Sequence, residues 1–215
     1  MRILEQVEVG LQWSDIESMT YHERVEHKRT KGVHMSDVLR YIAIKSKMYS
    51  EEDRADDMPL RVMLGMGFEE QAVRLYKGIW WQPGEFVLDD GVGVPVYGSP
   101  DGIEEIRDEW LLHEFKYSGK SMRVKGGKAG EHVDVRTLWL YMQQIMSYIN
   151  MLRLDKGLES NKGVLHVCWK YGDYSYPLTE RYFRYTIEFE EKELDGNLAM
   201  LQAHKEQVAI EKGVL

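Results

Sequence analysis

The sequence predicts an α/β fold with a mixed central sheet and peripheral helices. Two stretches with apolar residues at helical spacing, about 60–77 and 134–154, bracket a stretch of about 85–117 in which the period falls to that of strands. A further apolar run at 163–171 follows the second helix. The order helix, three strands, helix, strand describes an α/β sandwich.

Taken in order, residues 1–34 are polar, with little periodicity, and carry His22, His27 and His34 without a zinc-type spacing. Ser36 reads as an N-cap and Asp37 sits in the first turn, where the helix dipole favours an acid. Val38, Leu39, Ile42, Ala43 and Ile44 then make an amphipathic helix to about Met48. Residues 51–57 are acidic and read as a solvated loop, ended by Pro59. A second helix is expected from Leu60 to Lys77, with Leu64, Phe68, Ala72, Leu75 and Tyr76 at helical spacing and Gly78 ending it. Glu85 to Asp89 reads as a strand, Asp90-Gly91 as a turn, Val94 to Gly98 as a second strand and Trp110 to Tyr117 as a third, together an antiparallel meander. Residues 118–133 are rich in Gly and Lys and read as a loop. Asp134 to Leu154 reads as a long helix, Gly163 to Tyr171 as a fourth strand, Tyr182 to Phe189 as a fifth, and 190–212 as a charged helix.

The 215 residues suit one domain, with a core over about 60–190, an N-terminal helical extension at 1–59 and a C-terminal helix at 190–215. At 43% hydrophobic and 30% charged, the chain has the composition of a globular protein with a core of its own. Cys168 is the one cysteine, which excludes a disulfide framework, a zinc knuckle and a four-cysteine iron–sulfur site; within Val164–Trp169 it reads as a small buried apolar residue. No apolar run approaches the roughly 18 residues of a membrane span, and the first residues lack a signal-peptide core, so a cytoplasmic location is expected. The net charge of -8 argues against a surface that traps phosphate everywhere. It leaves room for a local basic strip beside an acidic metal site.

The chemistry gathers at Asp101, Glu114 and Lys116. Pro100 and Gly102 flank Asp101 in a turn at a strand end, and Glu114-Phe115-Lys116 follows on the next strand. Side chains alternate along a strand, so Glu114 and Lys116 share a face while Phe115 points away. Two carboxylates and an ammonium form a hard-oxygen site suited to Mg²⁺ or Mn²⁺. Phosphodiester hydrolysis needs an activated water and charge neutralisation on the phosphate, and carboxylate-held divalent ions supply both. The plainer alternative is a turn aspartate and two solvated residues on a half-exposed strand.

Two further features frame these three residues. Gly65-Met66-Gly67-Phe68-Glu69-Glu70 lies on the helix before the strands, and Gln144-Ile145-Met146-Ser147-Tyr148 on the helix after them. Glycine–acid helix, Pro-Asp, Glu-x-Lys and Gln-x-x-x-Tyr, in that order over residues 65–148, resemble the PD-(D/E)XK nuclease superfamily. The likeness is to its branch related to the C-terminal nuclease domain of RecB, which includes phage-type exonucleases. That resemblance implies a restriction-endonuclease-like core. It implies Asp101 and Glu114 as principal metal ligands, the Phe115 carbonyl as a further ligand, and Lys116 as catalytic lysine. Glu69 is implied as the first-helix acid, with Glu70 the close alternative. Gln144 and Tyr148, one helical turn apart, are implied to face the active site. With the iron–sulfur cysteines of some relatives absent, no cluster is expected, and any helicase or annealing protein would be a separate chain.

After Lys116, the segment through Lys128 carries Ser118, Lys120, Arg123, Lys125 and Lys128 and no acid, and is expected to contact DNA phosphates. Trp80-Trp81 offers faces on which bases or ends can stack, although a core or anchoring role is the simpler reading. The expected activity is a Mg²⁺- or Mn²⁺-dependent deoxyribonuclease, an exonuclease of phage or mobile-element recombination, replication or repair, active in the host cytoplasm and possible as a homo-oligomer. A structure-specific or restriction-like endonuclease, and an inactive nucleic-acid-binding scaffold, are the alternatives.

Overall fold

The computed structural model describes residues 1–10, 30–48, 58–118, 121–124, 131–171 and 180–215. Its strands are β1 (Arg2–Glu8), β2 (Val33–His34), β3 (Trp80–Trp81), β4 (Phe86–Leu88), β5 (Val96–Gly98), β6 (Gly102–Ile106), β7 (Glu109–Ser118), β8 (Lys162–Trp169) and β9 (Arg181–Glu188). The helices are α1 (Met35–Lys45), α2 (Met58–Val73), α3 (Trp139–Lys156) and α4 (Glu191–Glu211). A 3-10 turn at Val135–Thr137, capped by Asp134, precedes α3.

Six strands form the main sheet in the order β1-β9-β8-β7-β6-β3. β7 and β8 run parallel and the other pairs antiparallel, so the sheet is mixed, as expected. A parallel pair needs a long crossover, and α3 lies in the connection between β7 and β8. A small sheet, β2-β5-β4, lies apart. The larger core joins one face of the main sheet to α3, α1, α4 and the small sheet through Leu112, Ile145, Ile149, Leu165, Leu39 and Leu201. α2 covers the opposite face over Ala72, Val73, Trp81, Phe115 and Tyr182. Two glycines permit close approach. A Cβ at Gly98 would lie 2.9 Å from Tyr148 Cε1, and one at Gly102 2.6 Å from Ile79 Cγ2.

Several expectations change. The first residues are no helical extension. Arg2–Glu8 is an edge strand paired antiparallel to β9, its exposed side chains explaining why the sequence looked featureless. The three-strand meander divides, because β4 and β5 pair in the small sheet while the partner of β7 is β6. β6 is a further strand that the sequence does not signal, because Gly102-Ile103-Glu104-Glu105-Ile106 has too few alternating apolar residues. His34, not Ser36, is the N-cap of α1, its N–H donating to Asp37 Oδ2 at 3.1 Å. α2 ends at Val73, before the expected Lys77. His22, His27 and the acidic loop at 51–57 lie outside the described residues.

Candidate active site

The site forms where β6 begins. The β6–β7 ladder places Gly102 opposite His113, and β7 continues past that point without β6 beside it. Asp101 takes over there, its Oδ2 accepting the Phe115 N–H at 2.8 Å. A strand residue directs its N–H and C=O to the same edge, so the Phe115 carbonyl also faces the Asp101 side. Glu114 and Lys116 project from β7 toward α3, while Phe115 packs under α2.

Glu114 is fully buried. Its Oε1 receives both the Lys116 ammonium and the Gln144 amide. Its Oε2 is buried with no hydrogen-bond partner among the described residues. Buried carboxylate oxygens are seldom left so, and a water or a cation is the kind of partner such an oxygen takes. The Tyr148 hydroxyl lies 3.4 Å from Gln144 Nε2, which places both residues on the side of α3 that meets Glu114. Tyr141, three residues before Gln144, turns to the same face and acts electrostatically on Lys116.

Glu69, rather than Glu70, faces this cluster. Glu70 pairs with Arg74 at 2.9 Å along the outside of α2. Glu69 Oε1 accepts from Trp81 Nε1 at 2.8 Å and from Gln82 Nε2 at 3.2 Å, and its charge acts on both Asp101 and Glu114. Sequence reasoning missed Trp81 and Gln82 as supports for Glu69; no motif marks them. Gln82 has a left-handed backbone (φ 48) and donates its N–H to the Asp101 carbonyl at 2.8 Å. A non-glycine residue held there is strained, and such strain concentrates at functional sites.

The electrostatics follow from this packing. Burial, then the charge of Glu114, raises the Asp101 pKa well above the usual range, against the pull of Lys116 and the Phe115 N–H. Burial likewise raises Glu114, although Lys116 and Gln144 oppose it. For Lys116 burial works against the charged form, but Glu114 and Asp101 outweigh it and the ammonium is held more firmly than usual. Two carboxylates, Asp101 and Glu114, thus flank one ammonium, and Glu69 adds its negative charge to both carboxylates. An added cation would relieve that imbalance, and the donor set is the oxygen-only kind that Mg²⁺ and Mn²⁺ take. Among the described residues no group of three or more His, Cys, Asp or Glu side chains is placed to hold a metal ion. The fit to a cation therefore rests on Asp101, on the orphaned Glu114 Oε2 and on the Phe115 carbonyl, with Glu69 in electrostatic reach.

The expected DNA-contacting residues fare unevenly. Ser118 ends β7, is buried, and gives its carbonyl to the Lys170 N–H at 3.0 Å, so it is a strand terminus and not a loop contact. Arg123 is half-buried and forms a β-bridge with His132. Val133 N–H to the Met122 carbonyl (2.6 Å) and Val124 N–H to the Glu131 carbonyl (3.0 Å) flank that bridge. Lys120, Lys125 and Lys128 lie outside the described residues. Trp81 is core, as the simpler reading had it, but Trp80 is 62% exposed.

On the α2 side, a buried polar chain crosses the sheet. His113 Nε2 lies 3.2 Å from Glu104, His113 Nδ1 lies 3.0 Å from His166 Nε2, and His166 Nδ1 lies 2.6 Å from the Tyr182 hydroxyl, itself 3.0 Å from that of Tyr76. Burial lowers the pKa of both histidines, so they are neutral. His166 stacks on Phe115, 4.2 Å between ring centres, which backs the strand that carries Glu114 and Lys116.

No protein-family model matches the chain. No curated protein does either. Among solved structures, the crystal structure of SSO0001 is similar over 82% of this chain and 79% of that one, at 16% identity and a TM-score of 0.42. So slight a likeness decides neither the finer fold type nor a function. No helix among the described residues is long and apolar enough to cross a membrane.

Proposed function

We propose that the protein is a metal-dependent nuclease with a PD-(D/E)XK core, hydrolysing DNA phosphodiester bonds. One observation carries the reading: Asp101, Glu114 and Lys116 meet at one point, with Glu114 Oε2 buried and unpartnered among the described residues. Asp101, Glu114 and the Phe115 carbonyl would hold the cation, with Glu69 completing the negative field. When bound, a divalent ion offsets phosphate charge and makes a water acidic enough to attack near neutral pH. The chain's own residues supply the rest. Lys116, kept charged by Glu114 and Asp101, places a cation beside the phosphate oxygens. Gln144 fixes the rotamer of Glu114, and Trp81 and Gln82 fix that of Glu69. Arg123, with Lys120, Lys125 and Lys128, is assigned to the phosphate backbone.

The reading favours an exonuclease, with a restriction-like endonuclease as the alternative within the same chemistry. Purified protein incubated with linear and circular DNA in Mg²⁺, Mn²⁺ or EDTA tests both. Loss of linear DNA with circular DNA spared selects the exonuclease, and loss of both selects the endonuclease. If neither substrate is degraded in any metal, and Asp101→Ala matches the parent, the nuclease reading is wrong.

A further inference from the structure

We infer that Trp80 is a base-stacking platform for a nucleotide strand lying in the active site, an assignment that rests on the nuclease reading above. β3 is only two residues long, and its two tryptophans face opposite ways. Trp81 is 6% exposed, lies under α2 and donates to Glu69. Trp80 is 62% exposed and pairs in register with Ile103, which in turn pairs with Leu112. Ile103 and Leu112 belong to the core on the α3 face, and Glu114, two residues past Leu112, points to that same face. Trp80 therefore stands on the Glu114 face of the sheet, at its edge, where among the described residues β3 has no further strand beside it.

The separation follows from sheet geometry. Two strand spacings of about 4.8 Å across, and two residues at about 3.3 Å along, put the Trp80 backbone about 12 Å from that of Glu114. A stacked strand covers that span in about three to four nucleotides at ~3.4 Å each, and an unstacked one in fewer. An indole face at that distance meets a base close to the phosphate that Lys116 and the carboxylates address. The mount is rigid. β3 is bonded to β6, Trp81 is buried, and Gln82 is tied to the Asp101 carbonyl and to Glu69. A platform so held loses little freedom when a base lands on it, and every base has a face to offer, so the contact is tolerant of sequence.

The test measures cleavage of a short single-stranded oligonucleotide by the intact protein and by Trp80→Ala and Trp80→Phe. An abasic nucleotide is scanned through the positions beside the cleaved bond. Loss of stacking is expected to raise KM by about 5- to 100-fold in Trp80→Ala, with the loss falling on KM rather than kcat and most of it recovered by Trp80→Phe. One abasic position should weaken the parent similarly and leave Trp80→Ala indifferent. A KM within twofold of the parent, or abasic effects equal in both proteins, would overturn the assignment. Binding of the same oligonucleotides in EDTA, read by fluorescence anisotropy, separates this from a failure of the nuclease reading. A parent that binds without cleaving sinks the nuclease reading alone, and Trp80 is then judged by whether Trp80→Ala weakens Kd in the same range. A parent that neither binds nor cleaves overturns both.

Discussion

Asp101→Asn is expected to make the protein more stable and less active at once. Asp101 shares a site poor in water with Glu114 and feels Glu69, against the single ammonium of Lys116. Burial and these neighbours raise its carboxyl pKa, so the folded state binds this proton more tightly than the unfolded chain does. The penalty is therefore absent below the unfolded value of about 3.9. It grows as pH rises through the raised folded value and is complete well above it. Asparagine removes the charge and keeps an oxygen to accept the Phe115 N–H. The gain should be about 1 kcal/mol, within the range for relieving strain at a functional site, because Lys116 loses one of two nearby anions while Asp101 loses its repulsion. At roughly 2–4 °C per kcal/mol for a chain of this size, Tm should rise by that amount at pH 7.5 in EDTA. The difference should shrink toward zero near pH 4. Thermal unfolding followed by circular dichroism at the two pH values measures it. A variant with an unchanged fold but a lower Tm at pH 7.5, or a difference that ignores pH, would refute the claim that the parent stores negative charge there. Mn²⁺ at 100 times its Kd should stabilise the parent by about 2.7 kcal/mol, and the variant by much less.

Trp81→Phe keeps the buried ring but removes the N–H that donates to Glu69, and should weaken metal-dependent activity by about 10-fold or more, as loss of such outer supports does. Activity titrated against Mn²⁺ should show the loss, with Tm little changed. Tyr182→Phe leaves His166 Nδ1 buried without its donor and should cost about 1–3 kcal/mol in urea unfolding. Because burial depresses the pKa values of His113 and His166, their contribution is fully present above the unfolded value of about 6.5 and is lost as pH falls below it. Urea midpoints between pH 7.5 and 5, taken in Asp101→Asn so that the opposite carboxylate slope is reduced to that of Glu114, should decline toward acid. Gly98→Ala drives a methyl against Met151 and Tyr148 and should cost about 1–3 kcal/mol by overpacking, measured by the same titration.

The long elements were legible because their signals are local. α3 carries Ile145, Ile149 and Leu152 at helical spacing, and β8 is buried almost throughout. The short ones were not. β3 and β2 have two residues each and exist through their neighbours, and β6 is held by β7 and by the Gly102 approach to Ile79. The acid–acid–lysine centre was legible because strand alternation puts Glu114 and Lys116 on one face whatever the register. Choosing Glu69 over Glu70 needed the structure, since both lie on one turn of α2 and only tertiary contact sends one to Trp81 and the other to Arg74. The clamp by Trp81 and Gln82, and the His113–His166–Tyr182 chain, join residues far apart in sequence that no spacing rule connects. Ser118 closes β7 one residue past the strand that the sequence signals, so sequence alone groups a buried strand terminus with the loop after it.

The central claim is that the Asp101–Glu114 cluster holds a divalent cation, and anomalous diffraction from crystals grown with Mn²⁺ tests it most directly. A peak is expected in contact with Asp101 and Glu114 Oε2, and none at that place in Asp101→Ala. A well-ordered site with both carboxylates as described here and no peak between them at saturating Mn²⁺ would contradict it.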